Sequence, residues 1–343
     1  MKALVLESYN HLEYTDVPDP SIGSEDVLIR VKACGICGSD VHGMDGSTHR
    51  RQPPLIMGHE AAGVIEQTGK NVRNFRVGQS VTFDSTIYCG KCFYCRSGST
   101  SLCDHRKVLG VACDEYRHDG AFAEWVALPQ HIVHHLPDHM PFNHAAMTEP
   151  ISVALHAVKK ANLQPDHDVL VVGAGIIGLF IIQVLRYIGC RKIIALDLVN
   201  SRLDLAKQLG ADFTLNADSS DLVEQIDSIT DQQGIHTSFE VVGIPKTVNL
   251  ALTPLKKGGK IILVGNLTPT VDIPLQNIIA REITLQGSYA TGSSFPQAIE
   301  LIAQEKIKVD PIISQIAPLE EGSSWFKRLY DKQPNLMKVI LTP

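Results

Sequence analysis

The stretch Val169-Leu170-Val171-Val172-Gly173-Ala174-Gly175-Ile176-Ile177-Gly178 decides the fold of this chain. Its four aliphatic residues are typical of a buried strand in a parallel sheet, and the apolar residues 176–185 continue as a helix. The three glycines between them follow the G-x-G-x-x-G pattern of a dinucleotide-binding turn. Asp197 follows 19 residues after Gly178, at the end of the next predicted strand. This succession of strand, turn, helix and acidic residue predicts a Rossmann unit.

Each residue of the turn has a predicted task. Gly173 permits the tight turn, Gly175 lets the backbone approach a pyrophosphate, and Gly178 lets the helix pack closely on the strand. The N-terminus of the helix offers free N–H groups to the phosphates. Asp197 would accept hydrogen bonds from the adenosine ribose and repel a 2′-phosphate, so NAD is favoured over NADP. Arg202 is the nearby residue that a 2′-phosphate could recruit instead.

The parts of the chain on either side of residue 153 differ in their predicted secondary structure. From about residue 153 short apolar strands alternate with helical segments, which predicts a doubly wound parallel α/β sheet. The first ~150 residues contain short strands separated by turns, which predicts an antiparallel or barrel-like β unit. The predicted strands are 27–33, 63–68, 79–83, 168–172, 192–196, 213–215, 238–242, 260–264 and 282–287, and a helix is predicted over 201–210.

Composition restricts the possible functions. The 343 residues are 44% hydrophobic and 20% charged, and the formal net charge is −6, so neither a nucleic acid nor a polybasic membrane surface is expected as a partner. Residues 1–6 are predicted as a strand rather than a secretory leader, and the apolar run 176–185 is too short to cross a bilayer. The eight cysteines, half of them in one cluster, fit a reducing cytoplasm.

That cluster is a C-x2-C-x2-C-x7-C pattern formed by Cys89, Cys92, Cys95 and Cys103. Four thiolates on short loops suit the tetrahedral coordination of a structural Zn²⁺. An iron–sulfur cluster of the bacterial ferredoxin type would need a different final spacing followed by proline. Two disulfides would need an oxidising compartment. The pattern therefore predicts a closed zinc site.

A second set of candidate metal ligands is more dispersed. Cys34 and Cys37 form a C-x-x-C pair, which could be a redox pair but does not open a thioredoxin-like βαβ unit. A catalytic zinc needs about three protein ligands and one open position. Cys37, His59 and a carboxylate from Glu60 or Glu149 would meet this need. Spacing alone does not place ligands so far apart in sequence.

Several motifs together carry a family resemblance. They are Gly-Ile-Cys-Gly-Ser-Asp-Val-His at 35–42, Gly-His-Glu at 58–60, the four-cysteine loop, Glu-Pro-Ile-Ser-Val-Ala-Leu-His at 149–156 and the glycine-rich turn. In this order they resemble the zinc-dependent medium-chain dehydrogenases, and most closely the polyol branch with sorbitol dehydrogenase and galactitol-1-phosphate dehydrogenase. The resemblance extends over essentially the whole chain.

The resemblance implies a domain organisation and an activity. It implies a GroES-like, mainly β catalytic domain over 1–152, an NAD-binding Rossmann domain over 153–287, and a return to the catalytic domain over 288–343. The implied enzyme carries two zinc ions per subunit, one catalytic and one structural. It oxidises a secondary hydroxyl of a polyol to a ketose and transfers hydride to NAD.

By matching position, the resemblance also implies residue roles at the catalytic zinc. Cys37 and His59 are ligands, Glu60 and Glu149 are alternating or shared carboxylate ligands, and Cys34 is not a ligand. Ser39 would pass the substrate proton outward, and His42 would be the outer relay because imidazole titrates near neutrality. Asp40 would orient His59. The implied NAD-lining residues are Ile177, Asp197, Arg202, Val264, Gly265, Asn266, Gly287, Ser288 and Tyr289.

The identity of the substrate stays open at this stage. Sorbitol dehydrogenases carry an arginine where Ser288 stands, whereas galactitol-phosphate enzymes are more similar here. Arg50 and Arg51 lie between His42 and His59 and would suit a phosphate, or they form a solvated loop. A polyol phosphate and a vicinal diol such as butanediol are therefore alternatives to a free polyol.

Other proteins of this fold are further alternatives. Threonine dehydrogenases are similar, but they carry Asp-Pro where this chain has Glu149-Pro150. A silent zinc- and nucleotide-binding relative would have no chemical reason to keep the catalytic set. A zinc-free quinone oxidoreductase would lack both metal sets. The strand predicted over 282–287 could pair across a two-fold axis, as in family members, so a homodimer or homotetramer is expected.

Overall fold

A computed structural model describes all residues from 1 to 343. The chain divides into two compact units. Unit 1 consists of Met1–Ser152, Thr291–Glu305 and Val309–Pro343. Unit 2 consists of Val153–Ala290 and Lys306–Lys308. None of the helices combines the length and the hydrophobicity needed to cross a lipid bilayer.

The strands are numbered here in chain order. They are β1 (Lys2–Ser8), β2 (His11–Asp16), β3 (Asp26–Gly35), β4 (Leu55–Ile56), β5 (Glu60–Thr68), β6 (Ser80–Phe83), β7 (Thr86–Ile87), β8 (Lys107–Val108), β9 (Val111–Ala112), β10 (Arg117–His118), β11 (Trp125–Pro129), β12 (Val133–His135), β13 (Asp168–Val172), β14 (Lys192–Asp197), β15 (Phe213–Asn216), β16 (Ile235–Glu240), β17 (Leu255–Leu263), β18 (Thr284–Gly287), β19 (Ile313–Pro318) and β20 (Lys338–Thr342).

The helices are numbered in the same way. The α-helices are α1 (Gly38–Gly43), α2 (Phe93–Arg96), α3 (Phe142–Ala146), α4 (Thr148–Ala161), α5 (Ile176–Tyr187), α6 (Asn200–Gln208), α7 (Leu222–Ile229), α8 (Pro245–Leu252), α9 (Leu275–Ala280), α10 (Phe295–Ala303) and α11 (Gly322–Tyr330). Short 3-10 helices occupy Thr100–Leu102, Gln130–Ile132, Asp310–Ile312 and Leu319–Glu321.

Unit 2 is built on a six-stranded sheet in the order β15-β14-β13-β16-β17-β18. All of its neighbouring strands are parallel. This is the order of a dinucleotide-binding doubly wound sheet, with β13 as the first strand at its centre. Every residue of β13 is buried, as its run of aliphatic residues predicts.

The strand predicted over 238–242 is shifted along the chain. The observed β16 runs from Ile235 to Glu240. The Glu240 carboxylate ends the strand, because its Oε1 atom accepts hydrogen bonds from the backbone N–H groups of Val242 (3.0 Å) and Gly243 (2.8 Å). These hydrogen bonds override the strand propensity of Val241 and Val242.

The edge strand predicted over 282–287 is shorter than expected. Glu282 has a φ of +51°, in the left-handed region, which is incompatible with a strand. The observed β18 therefore begins at Thr284 and ends at Gly287. The helix predicted over 201–210 is α6, which ends at Gln208.

Unit 1 is built on a mainly antiparallel sheet in the order β12-β6-β5-β3-β20-β19, with β11 paired to β3. Strand β3 is central, because it pairs with β5, β11 and β20. Phe83, Phe122 and Phe326 are fully buried in the core beside Leu4 and Ile29. The sheet therefore holds the ends of β3 and β5 rigidly, and those ends carry the candidate catalytic residues.

Candidate metal centres and dinucleotide site

The four-cysteine loop lies between β7 and β8 and includes α2. The sulfur atoms of Cys89, Cys92, Cys95 and Cys103 all lie within 4.8 Å of one another. Backbone N–H groups point at these sulfurs: Cys89 N lies 3.2 Å from Cys103 Sγ, and Cys92 N lies 3.4 Å from Cys89 Sγ. All eight cysteines of the chain are free of disulfides. Four converging sulfurs fit one tetrahedral metal ion.

The cysteines of this loop differ in how readily they form thiolates. Backbone hydrogen bonds from Lys91 and Cys92 lower the pKa of Cys89 to about 6. Desolvation and the neighbouring cysteines Cys92 and Cys103 raise the pKa of Cys95 to about 12. A bound divalent cation would stabilise all four thiolates together. Because the four sulfurs complete a tetrahedral set, this site leaves no position for a substrate.

The second candidate centre is formed by Cys37, His59 and Glu60. Their ligand atoms lie within 4.8 Å of one another, although Cys37 and His59 are 22 positions apart in sequence. Cys37 immediately precedes α1, and Glu60 is the first residue of β5, which pairs with Gly35 of β3. A Cβ atom at Gly35 would lie 2.5 Å from Glu60 Oε2, so a larger residue there would displace the carboxylate.

The Asp40 carboxylate lies beside the His59 imidazole. The Nδ1 atom of His59 lies 3.5 Å from Asp40 Oδ2, and neither atom has another partner. This leaves Nε2 as the nitrogen available to a metal ion. Burial alone would raise the pKa of Asp40, but the charges of His59 and Arg51 lower it to about 2. Burial would likewise lower the pKa of His59, but Asp40 and Cys37 raise it well above its ordinary value.

Glu60 has a buried counter-ion that sequence reasoning missed. Its Oε2 atom forms an ion pair with Nζ of Lys338, which is fully buried in β20 and also donates to the Ile36 carbonyl at 2.8 Å. Burial opposes the charge of Lys338, but Glu60 and Cys37 raise its pKa above the ordinary value. The only signal in the sequence is one lysine in the closing apolar strand.

Glu149 lies in the first turn of α4 and is buried. Its Oε1 atom accepts a hydrogen bond of 2.8 Å from the Ser85 hydroxyl. Burial raises the pKa of Glu149 to about 7, and the Glu60 charge adds to this rise. The structure thus groups Glu60, rather than Glu149, with Cys37 and His59. The choice of carboxylate ligand stays a prediction.

The residues of the predicted proton relay are both in α1. The Ser39 hydroxyl lies 3.3 Å from Cys37 Sγ, and His42 follows three residues later, on the same side of the helix.

Cys34 is fully buried, and desolvation raises the pKa of its thiol well above the ordinary value. A neutral thiol is a poor metal ligand, since the thiolate is the binding form.

The two arginines of the same segment differ in their surroundings. Arg50 is exposed, whereas Arg51 is buried and forms an ion pair with Asp40. Arg51 is therefore neither solvated nor available as one member of a phosphate-binding pair.

The glycine-rich turn of unit 2 is shaped by steric limits. Gly173 has a φ of +104°, and a Cβ atom at Gly178 would lie 1.9 Å from the Gly173 carbonyl oxygen. A Cβ atom at Gly175 would meet nothing within 4 Å. The backbone at Gly175 therefore faces open space, as needed for the close approach of a pyrophosphate.

Asp197 closes this turn onto the end of β14. Its Oδ2 atom accepts a hydrogen bond of 2.8 Å from the Ala174 N–H, and its Oδ1 atom accepts one of 2.9 Å from Val199. Arg202 Nη1 lies 3.9 Å from Asp197 Oδ2. Asp197 therefore has a second role, which is to hold the glycine-rich turn through the Ala174 N–H. The sequence predicted only its contact with the adenosine ribose.

The other predicted NAD-lining residues follow the carboxyl ends of neighbouring strands. Ile177 lies in the first turn of α5, Val264, Gly265 and Asn266 follow β17, and Gly287, Ser288 and Tyr289 end or follow β18. Because carboxyl ends of parallel strands share one edge of a sheet, these residues lie on the edge where such sheets bind ligands. The Ser288 Oγ atom is buried without a partner, which fits a polar ligand.

Comparisons with known proteins identify the family. The model of the alcohol dehydrogenase GroES-like domain matches residues 23–138, and that of the zinc-binding dehydrogenases matches residues 177–304. Sorbitol dehydrogenase from Bacillus subtilis is 32% identical over 349 residues, covering 100% of this chain and 97% of that protein. D-arabitol-phosphate dehydrogenase from Enterococcus avium is 34% identical over 338 residues, covering 97% and 94%.

Solved structures agree with this. A zinc-binding dehydrogenase from Sinorhizobium meliloti, bound to NADP, superposes with a TM-score of 0.91 at 30% identity, covering 100% of this chain and 99% of that one. The Escherichia coli alcohol dehydrogenase rspB, complexed with NADH, has a TM-score of 0.92 at 28% identity and the same coverage.

The chain belongs to the zinc-dependent medium-chain dehydrogenase family. It is an oxidoreductase that acts on CH–OH groups, as the resemblance implies. The predicted fold, a Rossmann sheet together with a mainly β GroES-like domain, is confirmed.

Proposed function

We propose that this enzyme oxidises a secondary hydroxyl of a polyol to a ketose, with one catalytic zinc, one structural zinc and NAD as the hydride acceptor. The observation that carries the proposal is the convergence of Cys37, His59 and Glu60 within 4.8 Å. One thiolate, one imidazole and one carboxylate leave the fourth position of a zinc ion open, as catalytic sites require.

The chemistry divides between the cofactors and the chain. Bound zinc lowers the pKa of an alcohol hydroxyl, and NAD accepts the hydride. The chain orients His59 through Asp40, and it holds Glu60 through Lys338. Ser39 Oγ takes the hydroxyl proton, and the His42 imidazole passes it to solvent.

A free polyol is the leading substrate. Sorbitol dehydrogenase is among the relatives, and two serine hydroxyls lie at candidate zinc ligands, Ser39 at Cys37 and Ser85 at Glu149. A phosphorylated polyol is the second candidate, because D-arabitol-phosphate dehydrogenase matches over 97% of this chain. A phosphate would need a cation other than Arg51, since that guanidinium is paired with Asp40.

A substrate panel tests the proposal. NADH formation is measured with free pentitols and hexitols, their monophosphates, butanediol and threonine, alongside the zinc content of the enzyme. The expected result is two zinc ions per chain and the highest kcat/KM with one free polyol. Faster turnover of every polyol phosphate would favour the second candidate, and the absence of turnover with any polyol would refute both.

The preference for NAD is supported by Asp197, whose carboxylate stands at the end of β14 where the adenosine ribose binds in such sheets. Arg202, 3.9 Å away, is the residue that would favour NADP. Comparing kcat/KM for the two cofactors tests this preference.

We also propose a homo-oligomer, a dimer or tetramer, in the cytoplasm. Strand β18 is an edge of the six-stranded sheet, and the adjacent helix α9 exposes Leu275 (60%) and Ile279 (67%). Unpaired strand edges and exposed apolar side chains favour association. Sedimentation velocity would give a monomer if this is wrong.

The cluster of free thiols suits a reducing compartment such as the cytoplasm, which cell fractionation tests.

A further inference from the structure

Arg51 is a buried cation next to the catalytic centre. It is 4% exposed, and all three of its guanidinium nitrogens have partners. Nε and Nη2 donate to Asp40 Oδ1 at 3.2 and 2.9 Å, and Nη1 donates to the Arg50 carbonyl at 3.1 Å. Nη2 also lies 3.4 Å from Ser39 Oγ. Burying a guanidinium is costly unless it is paired, and here every guanidinium nitrogen has a partner.

The surrounding backbone accommodates this side chain specifically. A Cβ atom at Gly43 of α1 would lie 2.5 Å from Arg51 Cγ. The backbone on both sides of Arg51 is bonded to Ala112 of β9: Gln52 N donates to its carbonyl at 3.0 Å, and its N–H donates to the Arg50 carbonyl at 3.2 Å. The position of the guanidinium is therefore fixed by the fold and not by the ion pair alone.

The contacts of Arg51 lead to two residues of the proposed machinery. By occupying Asp40 Oδ1, the guanidinium leaves Oδ2 turned toward His59 Nδ1, 3.5 Å away. By donating to Ser39 Oγ, it leaves the hydroxyl hydrogen of Ser39 free to point toward Cys37 Sγ, 3.3 Å away. One side chain thus supports both a zinc ligand and the proton relay.

We propose that Arg51 is a positioning residue of the catalytic zinc site, fixing the His59 imidazole through Asp40 and the Ser39 hydroxyl directly. The inference rests on the proposed function, because it assumes that zinc binds at His59. A lysine could not replace the arginine fully, since one ammonium cannot match the planar fork that bonds Asp40 and Ser39 together. The role of Arg51 differs from phosphate recognition, which would need an accessible guanidinium.

The test compares Arg51→Met, Arg51→Lys and Gly43→Ala with the wild type. Residues that support a metal-bound histidine typically change metal affinity by about 10- to 100-fold. For Arg51→Met we expect zinc release from the catalytic site to a chelator to be about tenfold faster or more. We also expect a shifted visible spectrum when Co²⁺ replaces that zinc. Arg51→Lys keeps a positive charge and should show smaller changes in both the zinc release rate and the cobalt spectrum. Gly43→Ala, whose methyl would displace the arginine stem, should resemble Arg51→Met.

Internal controls separate this role from a general loss of structure. The zinc of the four-cysteine loop should be released at the wild-type rate in every variant. Arg50→Met changes the exposed neighbouring arginine and should leave the release rate and the cobalt spectrum unchanged. If Arg51→Met does not fold, Gly43→Ala and Arg51→Lys carry the test.

Wild-type zinc release and an unshifted cobalt spectrum in Arg51→Met and Gly43→Ala would overturn the proposal. Equal loss of both zinc ions would also overturn it, because the effect would then be a global one. These readouts do not use polyol turnover. If no polyol is oxidised by the wild type, the proposed function fails while the assignment of Arg51 is still decided by zinc release and the cobalt spectrum.

Discussion

Asp197 shows how one carboxylate combines structure and specificity. It accepts the Ala174 N–H and so closes the glycine-rich turn, and it stands where the cofactor ribose is expected. Because the negative charge would repel a 2′-phosphate, Asp197→Asn should lower the NAD-to-NADP ratio of kcat/KM by about tenfold or more. Steady-state kinetics with both cofactors check this. An unchanged ratio would leave the carboxylate a purely structural role.

Ser39 is the residue for which the relay makes the sharpest prediction. Removal of a positioned proton-transfer group typically costs about 100- to 10,000-fold in rate. Ser39→Ala should therefore lower kcat by well over tenfold, while zinc content stays at two per chain. Ser39→Thr keeps the hydroxyl and should retain most of the activity. Full turnover in Ser39→Ala would refute the relay.

The buried carboxyl of Asp84 predicts how the stability of the protein depends on pH. Burial raises its pKa to about 6, although it accepts hydrogen bonds from the Thr86 N–H and from the Thr291 hydroxyl, each at 2.8 Å. A carboxyl whose pKa is raised on folding holds its proton more tightly when folded. Its contribution to stability is therefore present at low pH and is lost as the pH rises through about 6.

The size of this loss follows from the shift. A change from 3.8 to about 6 corresponds to about 3 kcal/mol. Asp84→Asn cannot ionise, so its stability relative to the wild type should increase from pH 4.5 to 7.5, measured by thermal unfolding. Thr291→Val keeps the titrating carboxyl and removes a hydrogen bond that lowers its pKa, so the stability of this variant should fall with rising pH at least as much as that of the wild type. Parallel curves for Asp84→Asn and the wild type would contradict the pKa.

At the scale of elements, the turn between β13 and α5 contains two glycines with opposite demands. Gly178 has no room for a methyl group, since its Cβ would lie 1.9 Å from the Gly173 carbonyl, whereas Gly175 faces open space. Gly178→Ala should destabilise unit 2 by about 3 kcal/mol through overpacking. Gly175→Ala should fold normally but bind NADH at least about tenfold more weakly, because its methyl occupies the space of the pyrophosphate.

Thermal unfolding and NADH titration of both variants provide the measurement. The two variants are matched controls, since each adds the same methyl group. Normal NADH affinity in Gly175→Ala would mean that the pyrophosphate does not approach this backbone.

At the scale of the whole molecule, the two metal sets should behave differently on chelation. The catalytic set offers one thiolate with an imidazole and a carboxylate, whereas the loop offers four thiolates and no open position. A chelator should remove the catalytic zinc first, so activity should reach zero with one zinc per chain still bound. Activity falling in step with the second zinc would contradict this order. Cys92→Ser should lose only the loop zinc, which metal analysis would show.

The parts that the sequence predicted well have local causes. The strand β13 and the turn after it are encoded in ten consecutive residues, and the four cysteines lie within one loop. The ends of β16 and β18 were predicted less well. There a side-chain hydrogen bond of Glu240 and a left-handed Glu282 override the strand propensity of their neighbours.

The sequence by itself determined the fold class, the dinucleotide turn and both cysteine-containing motifs, because each depends on residues close together in the chain. Only the tertiary structure decided which charges surround His59 and Glu60. Lys338 reaches Glu60 across 278 positions, and Arg51 turns inward to Asp40 although its sequence reads as a surface loop. Sequence spacing cannot predict these pairs, because the pairing of β3 with β5 and β20, and the glycine at position 43, create the space in which they meet.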